Sequence, residues 1–173
     1  TDCAEQGIVV FNTPGANANG VKELVLAGML LASRDIAGGI EWVKSDKEDG
    51  DIAKTAEKQK KKFAGCEISG KKLGIIGLGA IGRRVAQIAR AFGANVIYYS
   101  ASGRPAQDGY TQVDFDTLLT TSDIISVHAP LNEHTENLLD KCAFAKMKET
   151  CIFLNLGRGP IVVEQDLYDA LVN

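Results

Sequence analysis

The run K-K-L-G-I-I leads straight into G-L-G-A-I-G, and no other feature of these 173 residues narrows the possible folds as far. Gly77, Gly79 and Gly82 carry the Gly-x-Gly-x-x-Gly spacing. In such a turn the first glycine permits a tight exit from a strand. The second lets backbone approach a pyrophosphate, and the third lets helix pack close to strand. Beyond the glycines, Ile81, Val85, Ile88 and Phe92 recur at helical spacing, which predicts one apolar helix face. A second apolar run, residues 95–99, follows. Strand, turn, helix and strand in this order predict a dinucleotide site, with unpaired N–H groups and partial positive charge at the helix start. A plain strand-to-helix turn with no ligand uses the same spacing, so the motif alone leaves that alternative open.

Downstream the pattern keeps alternating. Residues 115–121 read as a helix, 124–128 as a strand, 141–147 as a helix, 151–155 as a strand and 164–172 as a helix. Alternation of this kind predicts an α/β fold of Rossmann type: a doubly wound parallel sheet in three α/β/α layers, with ligands at the carboxyl ends of the strands. Residues 70–173 form that core in this reading, and 1–173 together make one nucleotide-binding domain.

Upstream, residues 8–11 are β-rich and end in the turn signal Asn12-Thr13-Pro14-Gly15, which predicts a short strand. Residues 21–32 are helical in period and apolar on nearly all sides, which predicts burial from two directions. Residues 15–65 are therefore expected to hold inter-lobe or dimerisation helices. Gly38 and Gly39 are expected to interrupt the helical pattern. The lysines at 58, 60, 61 and 62 read as a solvated helix face anchored by Ile52, Ala56 and Phe63, because Glu48, Asp49, Asp51 and Glu57 offset them.

Composition excludes several classes. Nineteen basic against 22 acidic side chains leave a net charge of −3, which argues against nucleic acid or an anionic membrane as partner. No apolar run has the length of a membrane span. Cys3, Cys66, Cys142 and Cys151 form no Cys-x-x-Cys, and with two histidines a metal site is not expected. Scattered thiols suit a reducing cytoplasm, with most of them expected to be small buried apolar groups. The chain opens on Thr1-Asp2-Cys3, with neither an initiator methionine nor a signal peptide, and reads as the middle of a longer one.

Three further positions bear on chemistry. The strand at 95–99 delivers Ser100, where a carboxylate about 20 residues past the glycine turn usually binds the adenosine ribose. Without it, and with Arg104 nearby in S-A-S-G-R-P, a 2′-phosphate meets no repulsion. NADP preference and NAD bound through Ser100 and backbone both remain open. Arg158, in N-L-G-R-G after the strand at 151–155, can grip a carboxylate with two parallel hydrogen bonds. It could also cap the sheet edge or pair with Glu164. His128 ends a strand in V-H-A-P-L and serves equally well as a structural neighbour of the cofactor or as an acid or base. His134 reads as solvated, and neither histidine has a carboxylate placed to tune it.

Several blocks in order carry a more specific signal: V-V-F-N-T-P-G-A-N-A-N-G-V-K-E-L-V, F-A-G-C-E-I-S-G-K-K-L-G-I-I-G-L-G-A-I-G, S-D-I-I-S-V-H-A-P-L and F-L-N-L-G-R-G-P-I-V. Through them the whole chain resembles the nucleotide-binding domain of the D-isomer-specific 2-hydroxyacid dehydrogenases. The resemblance implies hydride transfer between NAD, or NADP, and a 2-hydroxy/2-oxo acid. It implies Arg158 as the arginine that clamps and polarises the substrate, and Asn17 as a substrate contact. Gly77, Gly79, Ala80, Ile81 and Gly82 would line the pyrophosphate. His128, Ala129 and Pro130 would flank the adenosine side, with Leu156 also against the cofactor. It implies a homodimer built by the near-N-terminal helices. The family's general-acid histidine and its orienting carboxylate lie downstream of the arginine motif, so this stretch alone is expected to bind cofactor with little turnover. An NAD(H)-sensing corepressor shares the same blocks and remains an alternative.

Overall fold

The structure, a computed structural model, describes residues 2–46, 50–103 and 109–172. Five strands form one all-parallel sheet: β1 (Lys72–Ile76), β2 (Asn95–Tyr99), β3 (Thr111–Gln112), β4 (Ile124–Val127) and β5 (Ile152–Asn155). Their spatial order is β3-β2-β1-β4-β5, so the chain reverses direction across the sheet between β1 and β4. A crevice at such a reversal, outside the carboxyl ends, is where this architecture binds ligands. All four residues of β4 are buried, which explains why its sequence is nearly continuously apolar rather than alternating.

Two layers of helices cover the sheet. On one face, α2 (Ala18–Arg34) packs with α5 (Ala80–Ala91): Val25 and Met29 join Val85, Ala86 and Ala89 over Leu73, Ile75 and Ile124. On the other, α6 (Phe115–Thr121), α7 (Lys141–Lys146) and α8 (Glu164–Val172) cover Ile76, Ile125 and Val127, with Leu118 and Leu119 fully buried. The expected three-layer α/β arrangement is present. The short α1 (Asp2–Glu5), α3 (Ile36–Ser45) and α4 (Ile52–Gln59) precede the sheet. Trp42 of α3 lies against Phe63, ring centroids 5.7 Å apart, just past α4. Ile52, Ala56 and Phe63 are partly buried while Lys58, Lys60, Lys61 and Lys62 are exposed, as the solvated-face reading requires; Glu48 and Asp49 lie outside the described residues.

Local chemistry sets the element ends. Gly93 takes a left-handed φ of 82° after α5, and its N–H reaches the Arg90 carbonyl while that of Ala94 reaches Ala89. This paired capping ends the helix and turns the chain into β2. At the start of α6 the Asp114 carboxylate accepts the Thr117 amide at 2.8 Å.

Several expectations fail for identifiable reasons. Residues 8–11 form no strand; Ile8, Val9, Val10 and Phe11 are 54–87 % exposed, because no sheet edge lies alongside to pair with them. The helical pattern breaks at Asp35, not at Gly38 and Gly39, which lie inside α3. Asp35, at a left-handed φ of 44°, closes α2 and also caps α3 by accepting the Gly38 N–H at 3.2 Å. α2 buries only one face here, leaving Leu24 and Leu31 exposed. The inward face of α5 is turned toward Gly82, Val85, Ala86 and Ala89, so Phe92, at the helix end, is exposed. Cys3, Cys66 and Cys142 are exposed and only Cys151 is partly buried, contrary to the expectation of buried thiols.

Candidate cofactor and substrate site

The glycine turn sits at the carboxyl end of β1, against the end of β4. Gly77 adopts φ +94°, and a β-carbon there would stand 2.7 Å from the Ala129 nitrogen. Only glycine accommodates that conformation and that neighbour together. At Gly79, the N-cap of α5, a β-carbon would meet nothing within 4 Å. No side chain caps this helix, and Arg83 is the first residue whose N–H returns to the turn, bonding the Gly79 carbonyl at 3.0 Å. The amides of Ala80, Ile81 and Gly82 thus begin a helix whose positive end opens outward. The 13–17 turn lies beside it: a β-carbon on Gly15 would touch that of Ala80 at 3.4 Å. Asn17, exposed at the start of α2, makes no capping hydrogen bond.

A cavity of about 110 Å³ opens at the ends of β1, β2 and β4. It brings together Gly77, Ser100, Ala129 and Pro130, four of the residues singled out in the sequence. Ser100 Oγ lies 3.1 Å from Ser102 Oγ, and the Gly103 amide donates to the Ser100 carbonyl in a tight turn. Among the described residues no carboxylate lines this cavity. Arg104 lies outside the described residues.

Thr135 is a lining residue that sequence reasoning missed. It sits in a polar stretch that looks solvated, yet it is 1 % exposed. Its hydroxyl donates to the Pro130 carbonyl at 2.6 Å and accepts the Asn132 N–H at 2.9 Å, folding the 130–135 turn into the cavity wall. The usable signal is P-L-N-x-x-T, an Asn and a Thr spaced for such a side-chain turn.

His128 continues the line of β4, its N–H on the Ile76 carbonyl at 2.8 Å. Its Nε2 lies 2.9 Å from Ser126 Oγ, while Nδ1 is buried with no partner. Burial lowers its pKa to about 4, so it is neutral at physiological pH. His134 is exposed, as expected, although Glu133 Oε1 lies 3.5 Å from its Nε2, a carboxylate the sequence reading did not place there.

Beyond β5, Asn155 Oδ1 accepts the Gly157 N–H at 3.1 Å and its amide nitrogen donates to the Arg158 carbonyl. A β-carbon on Gly157 would stand 3.4 Å from the Val127 carbonyl, so this loop runs beside the end of β4. Leu156 is partly buried against the α2/α5 core and Arg158 is exposed. Among the described residues Arg158 forms no ion pair, with Glu164 or any other carboxylate. No cluster of metal-ligating side chains occurs among the described residues, and none of their helices is long and apolar enough to cross a membrane.

A parallel sheet with an open glycine turn at its reversal point defines a dinucleotide-binding domain. Comparison with known proteins makes the assignment narrower. Residues 26–173 match the family model described as D-isomer specific 2-hydroxyacid dehydrogenase, NAD binding domain, and the chain belongs to that family. It is 41 % identical over 170 residues to D-3-phosphoglycerate dehydrogenase of Archaeoglobus fulgidus, covering 96 % of this chain and 30 % of that protein. It is 40 % identical over 169 residues to hydroxypyruvate reductase of Thermotoga maritima, covering 98 % of this chain and 52 % of the relative. Among solved structures, an acyclic imino acid reductase (Bsp5) in complex with NADPH and D-Arg superposes with a TM-score of 0.82 at 34 % identity, covering 98 % of this chain and 52 % of that one. D-lactate dehydrogenase from Aquifex aeolicus, complexed with NAD and lactic acid, superposes with a TM-score of 0.82 at 28 % identity, covering 98 % and 49 %. The chain thus spans about a third to a half of the lengths of these relatives.

Proposed function

We propose that this chain is the cofactor-holding part of an NAD(P)-dependent D-2-hydroxyacid dehydrogenase. The observation that carries the reading is the open, uncapped start of α5 beside a cavity where Gly77, Ser100, Ala129 and Pro130 meet. Those features fit a dinucleotide: Gly79 leaves room for pyrophosphate, the amides of Ala80, Ile81 and Gly82 would face it, and among the described residues no carboxylate lines the adenosine side. His128, next in the chain to Ala129, and Leu156, in the loop after β5, would flank the bound cofactor. A nicotinamide cofactor held there would supply the hydride acceptor or donor for the 2-hydroxy/2-oxo acid pair.

The chain's own residues then act on the acid. Arg158 would hold its carboxylate through two parallel hydrogen bonds and steady negative charge on the C2 oxygen. Asn17, beside the start of α5, is a second contact. The proton at the C2 oxygen is not assigned to either histidine present. His128 is neutral, buried and bonded to Ser126, and His134 sits in a solvated turn. We assign it to a group outside these residues, so this chain by itself is expected to bind cofactor and to turn over slowly or not at all.

The substrate we favour is 3-phosphoglycerate, the entry to serine biosynthesis, on the strength of the 41 % identical relative. Hydroxypyruvate or glyoxylate is the second reading, supported by the hydroxypyruvate reductase relative. Exposed Leu24 and Leu31 of α2, with Ile36, Ile40 and Val43 of α3, offer an apolar surface for a second copy of the chain. The decisive experiment is NADH titration followed by nicotinamide fluorescence. Saturable binding lost in a Gly79→Asp variant supports the reading, and absence of binding by a folded protein overturns it.

A further inference from the structure

The outer edge of α5 carries chemistry that the proposed cofactor site does not use. Three of the chain's six arginines, Arg83, Arg84 and Arg90, lie on this 12-residue helix, which holds no lysine and no carboxylate. Together with Gln87 and Tyr110 they line an open groove of about 400 Å³. A second groove, about 420 Å³, shares Arg90 and Tyr110 and runs along the start of β2. Among the described residues neither has a carboxylate in its wall.

Arg84 and Arg90 form no ion pair among the described residues. Arg90 instead stands over the Tyr110 ring, 5.1 Å from its centroid, which holds its charge at the junction of the two grooves. Arg83 and Arg84 lie near the end of α5 that the helix dipole already makes positive, with no acidic residue in the first turn. In a chain of net charge −3 this is a concentrated positive strip, and it is built of arginine, whose planar fork suits phosphate oxygens better than lysine does.

We propose that the α5 groove binds a compact, multiply charged phosphate anion at a site separate from the cofactor crevice. Among the described residues the groove shares no lining residue with the cavity at Gly77 and Ser100, so occupancy of one site leaves room for the other.

The test is an NMR titration of the protein with inorganic tripolyphosphate at constant ionic strength, with and without saturating NADH. The signals followed are the side-chain N–H groups of Arg84 and Arg90, the Gln87 amide and the Tyr110 ring. The expected result is saturable shifts at all four, persisting with NADH and at least tenfold weaker in the Arg84→Ala/Arg90→Ala variant. Lysine at both positions should restore binding only in part. Gln87→Glu, which places a carboxylate in the groove at an exposed position, provides an independent arm and should also weaken it. Shifts confined to residues 79–82, an equal response to sodium chloride, or undiminished affinity in both the double alanine and Gln87→Glu proteins would overturn the proposal. Failure of NADH to bind, by contrast, would strike only the cofactor reading.

Discussion

The carbonyl oxygen of Gly77 fills the space where a side chain on Gly82 would begin. Gly77 is itself pinned against Ala129, so neither backbone can retreat. Replacing Gly82 with alanine therefore forces backbone apart at the junction of β1 and α5, and overpacking of that kind costs about 1–3 kcal/mol. Gly79 differs: its β-carbon would enter open space, and its φ of −81° suits any residue. Gly79→Ala should keep stability within about 0.5 kcal/mol yet weaken NADH at least tenfold, because the added methyl occupies the approach to the α5 amides. Urea denaturation and NADH titration on both variants separate fold from function. Undiminished affinity in Gly79→Ala would remove the pyrophosphate from that turn.

His128 links acid stability to the site. Its folded pKa of about 4 lies below the unfolded value of 6.5, so below pH 6.5 the unfolded chain binds the extra proton and the folded one does not. This contribution is fully present above pH 6.5 and is lost as pH falls through 6.5 toward 4, at most about 3 kcal/mol. His128→Gln should flatten the stability–pH curve in that window. An NMR titration placing the imidazole near its ordinary value would show that burial does not hold it neutral.

How much of this was legible beforehand depended on how local each signal is. The β1–α5–β2 unit could be read because its glycines, helix period and second strand lie within about thirty contiguous residues, the span of one βαβ unit. Residues 8–11 look just as β-rich, but a strand exists only where a partner edge lies alongside, and composition does not reveal one. Gly38 and Gly39 have poor helix propensity, yet the Asp35 carboxylate on the Gly38 amide starts α3 ahead of them. Thr135 hides among polar neighbours because its burial comes from hydrogen bonds to Pro130 and Asn132, visible only once the turn has folded. Convergence of Ser100 with Gly77 and Ala129 is likewise a product of strand order.

Asp123 fastens the opposite end of the sheet. One carboxylate oxygen accepts the Lys72 N–H at 2.8 Å, and the other accepts Lys148 Nζ at 2.8 Å. Burial pushes its pKa up, but the Lys148 ammonium and the Lys72 amide outweigh that, so it lies below the usual carboxylate value. This stability is present above the unfolded pKa and is lost as pH falls through the lower folded one. Asp123→Ala should cost about 1–3 kcal/mol by leaving the first amide of β1 unpaired. Lys148→Ala, which removes a partly exposed charge, should cost about 1 kcal/mol or less. Thermal melts of the two variants would show equal losses if the salt bridge, rather than the amide bond, held β1.

Cofactor choice turns on Ser100. An aspartate at the end of β2 would hydrogen-bond the ribose hydroxyls of NAD and repel a 2′-phosphate. Here the turn offers two hydroxyls, Ser100 and Ser102, and no carboxylate among the described lining residues, so discrimination against NADP is expected to be weak. The expected result is NADPH binding comparable to NADH. Ser100→Asp should weaken NADPH at least tenfold, roughly 1.4 kcal/mol, while NADH is unchanged or tighter. Arg104→Ala should weaken NADPH alone if that guanidinium meets the phosphate. Fluorescence titration of both nicotinamides against the three proteins decides it. An equal loss of both in Ser100→Asp would mean that the substitution disturbs the turn rather than a phosphate subsite, and cofactor choice would then lie elsewhere in the crevice.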